Sequence, residues 1–242
     1  MTATFGVVLV TVAPPGQAAG SPADSSAGNP AGGAFVKVDG RESVLRSVEL
    51  FLNRENVKQV QLVFMPDFLD EGKRKFGGHL GLTGVKVVAG GPRLIDQLAA
   101  AGEKLAPEVT HVILHDAARP AVAYSDIDAL MESAEKHKAV ALATPVRSPM
   151  VEVDESGAAM AYATPTRFMM LLTPQVFSRE RFLEMCRSKA EVHASELTLL
   201  KGSPLNVRVS GPGDAGFVKT MINMLPKPKI KPPSSPFEEA QW

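Results

Sequence analysis

The chain carries a single cysteine, Cys186, among 242 residues. One cysteine cannot form an internal disulfide or a cysteine-based metal site, and such scarcity suits a reducing compartment. Excess charge of either sign is missing as well: 26 Lys and Arg balance 26 Asp and Glu. A balanced chain lacks the net positive field that general nucleic-acid or membrane-surface binders need, so neither partner is expected, although a local basic pocket for phosphate stays compatible. No apolar run approaches the roughly 18 residues of a membrane span. Phe5 to Ala13 is apolar, but it is short for a secretory signal core, and no Lys or Arg precedes it. It reads instead as a buried first strand in a cytoplasmic protein. Internal repeats are absent. Cations are absent from the whole N-terminal stretch before Lys37.

What is present suits a globular protein. Hydrophobic residues make up 45% and charged residues 21%, enough for a core without disulfide or metal staples. From Pro14 to Gly33 the chain is nearly all Pro, Gly, Ala, Ser, Asp and Asn. Such a stretch offers no apolar face and reads as a flexible loop, long enough to suggest function or decay. Phe35 to Val38 reads as a short extended piece closed by the turn Asp39-Gly40. Helical spacing follows over Ser43 to Leu52, with Ser43 as N-cap. Strands are predicted at Val57–Met65, Val85–Ala89, His111–Leu114 and Ala139–Thr144. Helices are predicted at Asp67–Phe76, Pro92–Leu105 and Ser125–Lys138, the last capped by Ser125. This alternation indicates a mostly parallel sheet with helices on both faces, whose ligands bind beyond the carboxyl ends of the strands. Past Thr144 the pattern changes. Val151–Asp154 and Ala158–Ala163 flank the turn Glu155-Ser156-Gly157 and read as a hairpin arm. Leu205–Ser210 reads as a late strand and Asp214–Leu225 as a last helix, followed by a Lys/Pro-rich tail.

The strongest local signal is Val112-Ile113-Leu114-His115-Asp116-Ala117-Ala118-Arg119-Pro120. A buried strand here delivers an Asp and an Arg to the ligand edge, separated by two alanines. Small residues admit a ligand close to the backbone. The Asp can accept sugar hydroxyls or hold a metal, and the Arg can fork onto a phosphate. A structural Asp–Arg pair at a strand end is the plainer reading of the same residues.

That segment matches the HDAARP signature of the cytidylyltransferases that join CTP to 2-C-methyl-D-erythritol 4-phosphate in the non-mevalonate isoprenoid pathway. Other stretches resemble the same family in the same order: Phe35 to Phe51, Val88-Ala89-Gly90-Gly91 with Asp96, Thr144-Pro145-Val146-Arg147, Leu172-Thr173-Pro174-Gln175-Val176-Phe177 and Leu205-Asn206-Val207-Arg208-Val209-Ser210. The resemblance covers about residues 5 to 225. It implies a three-layer, Rossmann-like nucleotidyltransferase fold with a β-hairpin arm. One domain over residues 1–229, its arm at about 145–172, would precede a disordered tail over 230–242. It further implies CTP and a sugar-alcohol phosphate as ligands, Mg²⁺ as cofactor with Asp116 as its ligand, and a homodimer formed through the arm.

Carried over position by position, the resemblance assigns Lys37, Arg167 and Arg208 to catalysis. Asp116, Arg119, Arg167 and Arg208 fall to the sugar phosphate. Ala13, Gly16, Gly90, Gly91, Asp96 and Ala117 fall to the nucleotide. Departures from the family pattern concentrate on the nucleotide side. Gln17 stands near the family's first-loop Arg, and Gly32 and Gly33 stand where a phosphate-contacting Lys belongs. Leu94 replaces an Arg, and Gln97 replaces a Ser whose hydroxyl meets the base. Ser148-Pro149-Met150-Val151 replaces the arm's Asp-Thr-x-Lys, and Arg208 replaces a Lys. Two expectations follow: either an enzyme in which Lys37 stands in for the missing cation, or a catalytically impaired relative that binds ligand or a dimer partner. Restoring Gly33 as Lys is expected to help CTP more than the sugar phosphate. His193 with Glu191 and Glu196 reads as a solvated helix face rather than a metal site, and Met169-Met170-Leu171-Leu172 as core or dimer contact.

Overall fold

Alternation along the first strand sets the layers. In β1 (Phe5–Val10), Phe5, Val7 and Leu9 enter one apolar cluster, while Val8 and Val10 enter another. Successive strand residues point to opposite faces, so a strand that is apolar throughout requires a core on each side of its sheet. The computed structural model describes residues 3–12 and 32–226. After β1 come β2 (Lys37–Val38), β3 (Arg41–Glu42), α1 (Ser43–Leu52), β4 (Val57–Phe64), α2 (Pro66–Leu82), β5 (Lys86–Ala89), α3 (Leu94–Gly102), β6 (His111–Asp116), α4 (Tyr124–Ala134) and β7 (Ala139–Pro145). Then follow β8 (Met150–Val153), β9 (Ala159–Ala163), β10 (Met169–Ser178), α5 (Arg179–Ser188), β11 (Thr198–Lys201) and α6 (Ala215–Met224).

Seven strands form one sheet in the order β11-β7-β10-β6-β1-β4-β5. β1 runs parallel to β4 and β6, β4 to β5, and β7 to β11; β10 alone is antiparallel, to both β6 and β7. One face is closed by α1, α2 and α4 through Val44, Val48, Phe51, Phe76, Leu80, Ile127 and Leu130. The other is closed by α3 and α5 through Leu94, Leu98, Phe182 and Met185. This is the three-layer, mostly parallel α/β architecture. The carboxyl ends of β1, β4, β5, β6 and β7 meet at one edge, where such sheets place ligands. Among the described residues no helix is long and apolar enough to cross a membrane.

The arm forms as its pattern indicated. β8 and β9 pair as a separate two-stranded sheet. Its turn is held by Asp154, whose Oδ1 accepts from the N–H groups of Ser156 and Ala158 and from the Ser156 hydroxyl. Its apolar side chains are uncovered: Tyr162 is 90% and Met160 67% exposed.

Other expectations are corrected. Leu205–Ser210 pairs with no strand. It crosses the carboxyl edge with Val209 donating to Ala118 O at 2.8 Å, and the last strand of the sheet is Thr198–Lys201 instead. Met169–Leu172 opens the ten-residue strand β10: all four pair with β7, Leu172 joins the core while Met169 to Leu171 are exposed, and Gln175–Ser178 lie between β6 and β7. Neither Ser43 nor Ser125 caps a helix. The caps are Glu42 and Ala123, and Ser43 is fully buried. Pro92 lies before α3, which runs Leu94–Gly102. Gly32–Phe35 is a 3₁₀ turn ahead of the short β2. His193 caps a 3₁₀ turn through Ser195 N–H, with Glu196 Oε1 accepting from His193 N–H. The expected glycine-rich loop falls almost wholly on residues 13–31, and the tail on residues 227–242, outside the described residues.

Candidate active site at the carboxyl edge

β6 ends on Asp116, whose side chain is completely buried. Oδ1 accepts from Ala118 N–H at 2.9 Å, Oδ2 accepts from Arg208 Nε at 2.8 Å, and Arg119 Nε lies 3.7 Å from Oδ2. A buried carboxylate is tolerated only with such partners. Arg119 is itself 5% exposed, and its Nη1 donates to Asn206 O at 3.0 Å. Burial pulls the Arg119 guanidinium below its usual value, the nearby Asp116 raises it, and Arg208 lowers it again. His115 donates from Nε2 to Arg119 O at 3.0 Å, a role that assigns the proton to that nitrogen. Desolvation pushes the His115 imidazole down to about 3, so it is neutral in ordinary buffers. Two guanidiniums against one carboxylate leave one net positive charge at the strand end.

Arg208 is where that charge reaches solvent. Its side chain is 17% exposed, and only its Nε bonds to a described residue. The fork of Nη groups is therefore available to an anion, and a guanidinium fork matches phosphate in geometry as well as charge. Thr173 and Asn206 complete the cluster. Asp116 N–H donates to Thr173 Oγ1 at 3.1 Å, and Asn206 Nδ2 donates to Thr173 O at 2.7 Å. Neither was singled out as a site residue, although both stand inside the stretches that carry the family resemblance. Motif membership was the signal available.

The structure thus gathers Asp116, Arg119 and Arg208, but it does not bring the other expected residues to them. Lys37 lies on β2 opposite the buried Val38, is 66% exposed, and pairs with Glu42 at 3.7 Å. Arg167 closes an exposed 3₁₀ turn at the base of the arm and pairs with no described residue. Ala117 is fully buried, with its N–H donated to Val10 O at 2.9 Å and its carbonyl accepting from Ser47 Oγ, so it offers no surface to a nucleotide. Ala13, Gly16 and Gln17 lie outside the described residues. In the fold the Asp116 carboxylate is buried and bonded to Ala118 N–H and Arg208 Nε, so any Mg²⁺ it held would have to share it with those donors. Among the described residues no group of three or more His, Cys, Asp or Glu could hold a metal ion.

The edge after β5, where the resemblance places the nucleotide, is closely packed. Gly90 is a close-packing glycine: a Cβ there would lie 2.6 Å from Val63 Cγ1 and 2.9 Å from Gln97 Cα. Gly91 packs likewise on Asp96. Gln97 is fully buried; its Oε1 accepts from Thr11 N–H at 3.1 Å, while Nε2 has no partner. Leu94 sits in the core where the family carries Arg. One residue earlier, however, Arg93 grips Asp96 with Nε and Nη2, each at 2.8 Å, and holds that carboxyl below its usual value. Arg93 was not anticipated. Counting along the sheet, β5 stands three strand spacings from β6, or roughly 14 Å. The net positive charge at the carboxyl edge therefore sits beyond β6 with Arg208, while Arg93 after β5 is neutralised by Asp96. Gly33, aligned with the family's Lys, has no room for any side chain: a Cβ there would lie 1.6 Å from Val209 O. That backbone contact argues against the expectation that Lys at this position would help CTP more than the sugar phosphate.

Comparison with known proteins follows the same lines. The sequence profile described as IspD, 2-C-methyl-D-erythritol 4-phosphate cytidylyltransferase, matches residues 10–211. A 2-C-methyl-D-erythritol 4-phosphate cytidylyltransferase of Clostridioides difficile strain 630 is 21% identical over 211 residues, covering 81% of this chain and 88% of the relative. A ribitol-5-phosphate cytidylyltransferase of Streptococcus agalactiae serotype Ia is 25% identical over 207 residues, covering 78% and 86%. Among solved structures, a 4-diphosphocytidyl-2C-methyl-D-erythritol synthase from Anaerococcus prevotii superposes with a TM-score of 0.70 at 15% identity, covering 92% of this chain and 97% of that one. A 2-C-methyl-D-erythritol 4-phosphate cytidylyltransferase from Thermus thermophilus gives 0.66 at 20% identity, covering 89% and 98%. At these identities the superpositions show the fold, and the profile match shows the family. With HDAARP closing β6 and a profile match spanning most of its length, the chain belongs to the 2-C-methyl-D-erythritol 4-phosphate cytidylyltransferase family.

Proposed function

We propose that this protein transfers a cytidylyl group from CTP to the phosphate of a sugar alcohol, with 2-C-methyl-D-erythritol 4-phosphate as first candidate and ribitol 5-phosphate as second. The observation that carries this reading is Arg208, held by its Nε on Asp116 with its outer fork unoccupied. In the reaction a substrate phosphate oxygen attacks the α-phosphorus of CTP. The new P–O bond forms as the bond from the α-phosphorus to the bridging β-oxygen breaks, and pyrophosphate leaves with that electron pair. The protein's part is positioning and charge stabilisation. Arg208 holds the attacking phosphate, and the buried Asp116–Arg119 pair holds Arg208. Arg93, on the far side of the edge, is the described cation closest in chain position to the lost family Arg, and it would have to exchange its Asp96 partner to meet a triphosphate. Mg²⁺ is proposed for the family reaction, but no described residue is assigned to it. The exposed arm carries the homodimer, bringing Arg167 to a partner's edge.

The test is pyrophosphate release from purified protein with CTP and Mg²⁺ and each polyol phosphate in turn. Release with one of them and not the other identifies the substrate. A second reading, a non-catalytic binder, is favoured by position 33, which cannot carry a cation, and by Lys37, which turns to Glu42. Under it, calorimetry detects polyol phosphate binding while no pyrophosphate appears. Absence of both binding and release would reject the two readings together.

A further inference from the structure

The segment that carries Arg208 has no sheet ladder. Leu205 to Ser210 lies across the carboxyl edge, and backbone pairing to the sheet side is confined to Val209 N–H on Ala118 O. Its place is set instead by a closed ring of side-chain bonds. Asp116 N–H donates to Thr173 Oγ1, and Asn206 Nδ2 reaches back to Thr173 O at 2.7 Å. Arg119 then donates to Asn206 O, and Arg119 and Arg208 converge on Asp116 Oδ2. Asn206 is 2% exposed and touches β10 with its side chain and Arg119 with its carbonyl, two residues before Arg208. We infer that Asn206 is a positioning residue: its amide tether to Thr173 holds the 205–210 segment in register, so that Arg208 meets Asp116 with its fork turned outward. Asn206 contacts no ligand in this scheme. The inference rests on the sugar-phosphate reading of the Asp116 edge.

The physical case is one of order. A segment without ladder bonds samples many backbone states, and the entropy of fixing it must be offset by specific contacts. A neutral amide bond to a buried carbonyl contributes modestly when made, but it leaves a desolvated acceptor when broken. Arg208 sits at the end of that lever. If its segment drifts, the Nε–Asp116 bond and the outward fork are lost together, while the nucleotide side, built on α3 and β5, keeps its geometry. Loss of the tether should therefore fall on one ligand.

The experiment is a double-mutant cycle read by calorimetric titration and by arginine Nε–H NMR on the full chain. Asn206→Ala is expected to weaken binding of whichever probe binds, 2-C-methyl-D-erythritol 4-phosphate or ribitol 5-phosphate, about tenfold, with CTP affinity unchanged within about twofold. In an Arg208→Met background the same substitution should cost less than about twofold, because the residue it acts through is gone. The Arg208 Nε–H signal, assigned by its absence in Arg208→Met, should broaden in Asn206→Ala. Asn206→Leu keeps about the size of the side chain and loses the Nδ2 donor without burying a new charge, and should behave the same way if the alanine variant does not fold. An equal loss for CTP and sugar phosphate, or a full loss in the Arg208→Met background, would reduce Asn206 to a stability residue and overturn the inference. An unchanged Arg208 Nε–H signal would overturn it on its own. Wild type that binds neither polyol phosphate would sink the site reading instead, with the NMR arm still deciding the tether.

Discussion

Gly33 offers a sharp test, because an alignment and the structure make opposite forecasts for one position. Alignment places a phosphate-contacting Lys there, so Gly33→Lys should strengthen CTP binding. The structure puts the would-be Cβ 1.6 Å from Val209 O and 2.6 Å from Val209 C. Those are backbone atoms and cannot rotate away. Making room means moving the 205–210 segment by well over an ångström, which strains the Val209–Ala118 bond at 2.8 Å and shifts its neighbour Arg208. Overpacking of a tight site costs about 1–3 kcal/mol, and a buried backbone bond left unmade about 1–3 more. A loss of about 2–6 kcal/mol lowers the melting temperature of a domain this size by roughly 4–24 °C. Thermal denaturation of Gly33→Ala and Gly33→Lys against wild type measures it. Gly40→Ala is the control: Gly40 has φ +76° with nothing near its Cβ position, so it should lose only the left-handed strain, about 1–2 kcal/mol. If Gly33→Ala melts within about 2 °C of wild type, or Gly33→Lys gains CTP affinity, the packing argument is wrong.

Arg119→Ala strips a buried partner from Asp116 and leaves Asn206 O unpaired, so it should cost about 3–5 kcal/mol of stability together with sugar-phosphate binding, seen by melting and calorimetry side by side. His115 is neutral in the fold, with its value pushed down to about 3 from an unfolded value near 6.5. Its contribution is complete above about pH 6.5 and falls as pH drops toward 3, by about 2 kcal/mol between pH 7 and pH 5. Urea midpoints across that range should lose this slope in His115→Gln, which still donates toward Arg119 O. Burial pushes the Cys186 thiol up to about 11. At pH 8 a thiol reagent should label the native protein far more slowly than the denatured chain. Tyr162→Glu with Met160→Glu on the exposed arm should convert a dimer to monomer by light scattering with the far-UV spectrum unchanged; a wild type already monomeric at micromolar concentration would reject the arm as an interface.

Local pattern was enough for whatever depends on neighbours in the chain. The apolar run of β1, the helical spacing of α1 and the turn at Gly157, with φ +84°, all report the chemistry of a few consecutive residues. The HDAARP strand end was legible for the same reason, since a run of buried residues ending in Asp announces a strand that stops at a polar site. Alternation failed where pairing requires a partner. Leu205, Val207 and Val209 alternate as a strand would, but β11 holds the edge beside β7, and the segment crosses the carboxyl end instead. The long β10 was hidden because its first residues belong to an exposed apolar surface and the rest to a central strand, so no single period runs through it. Which residues carry the site was decided in three dimensions. Asp116 proved to anchor Arg208 with Arg119 close beside it, because a buried carboxylate needs cationic donors near it. Lys37 was left exposed and paired with Glu42 once Val38 took the inward position, and Gly33 was closed by the carbonyl of Val209, far later in the chain. Distances of that kind, between residues far apart in sequence, are set by the packing of the whole sheet and its helices.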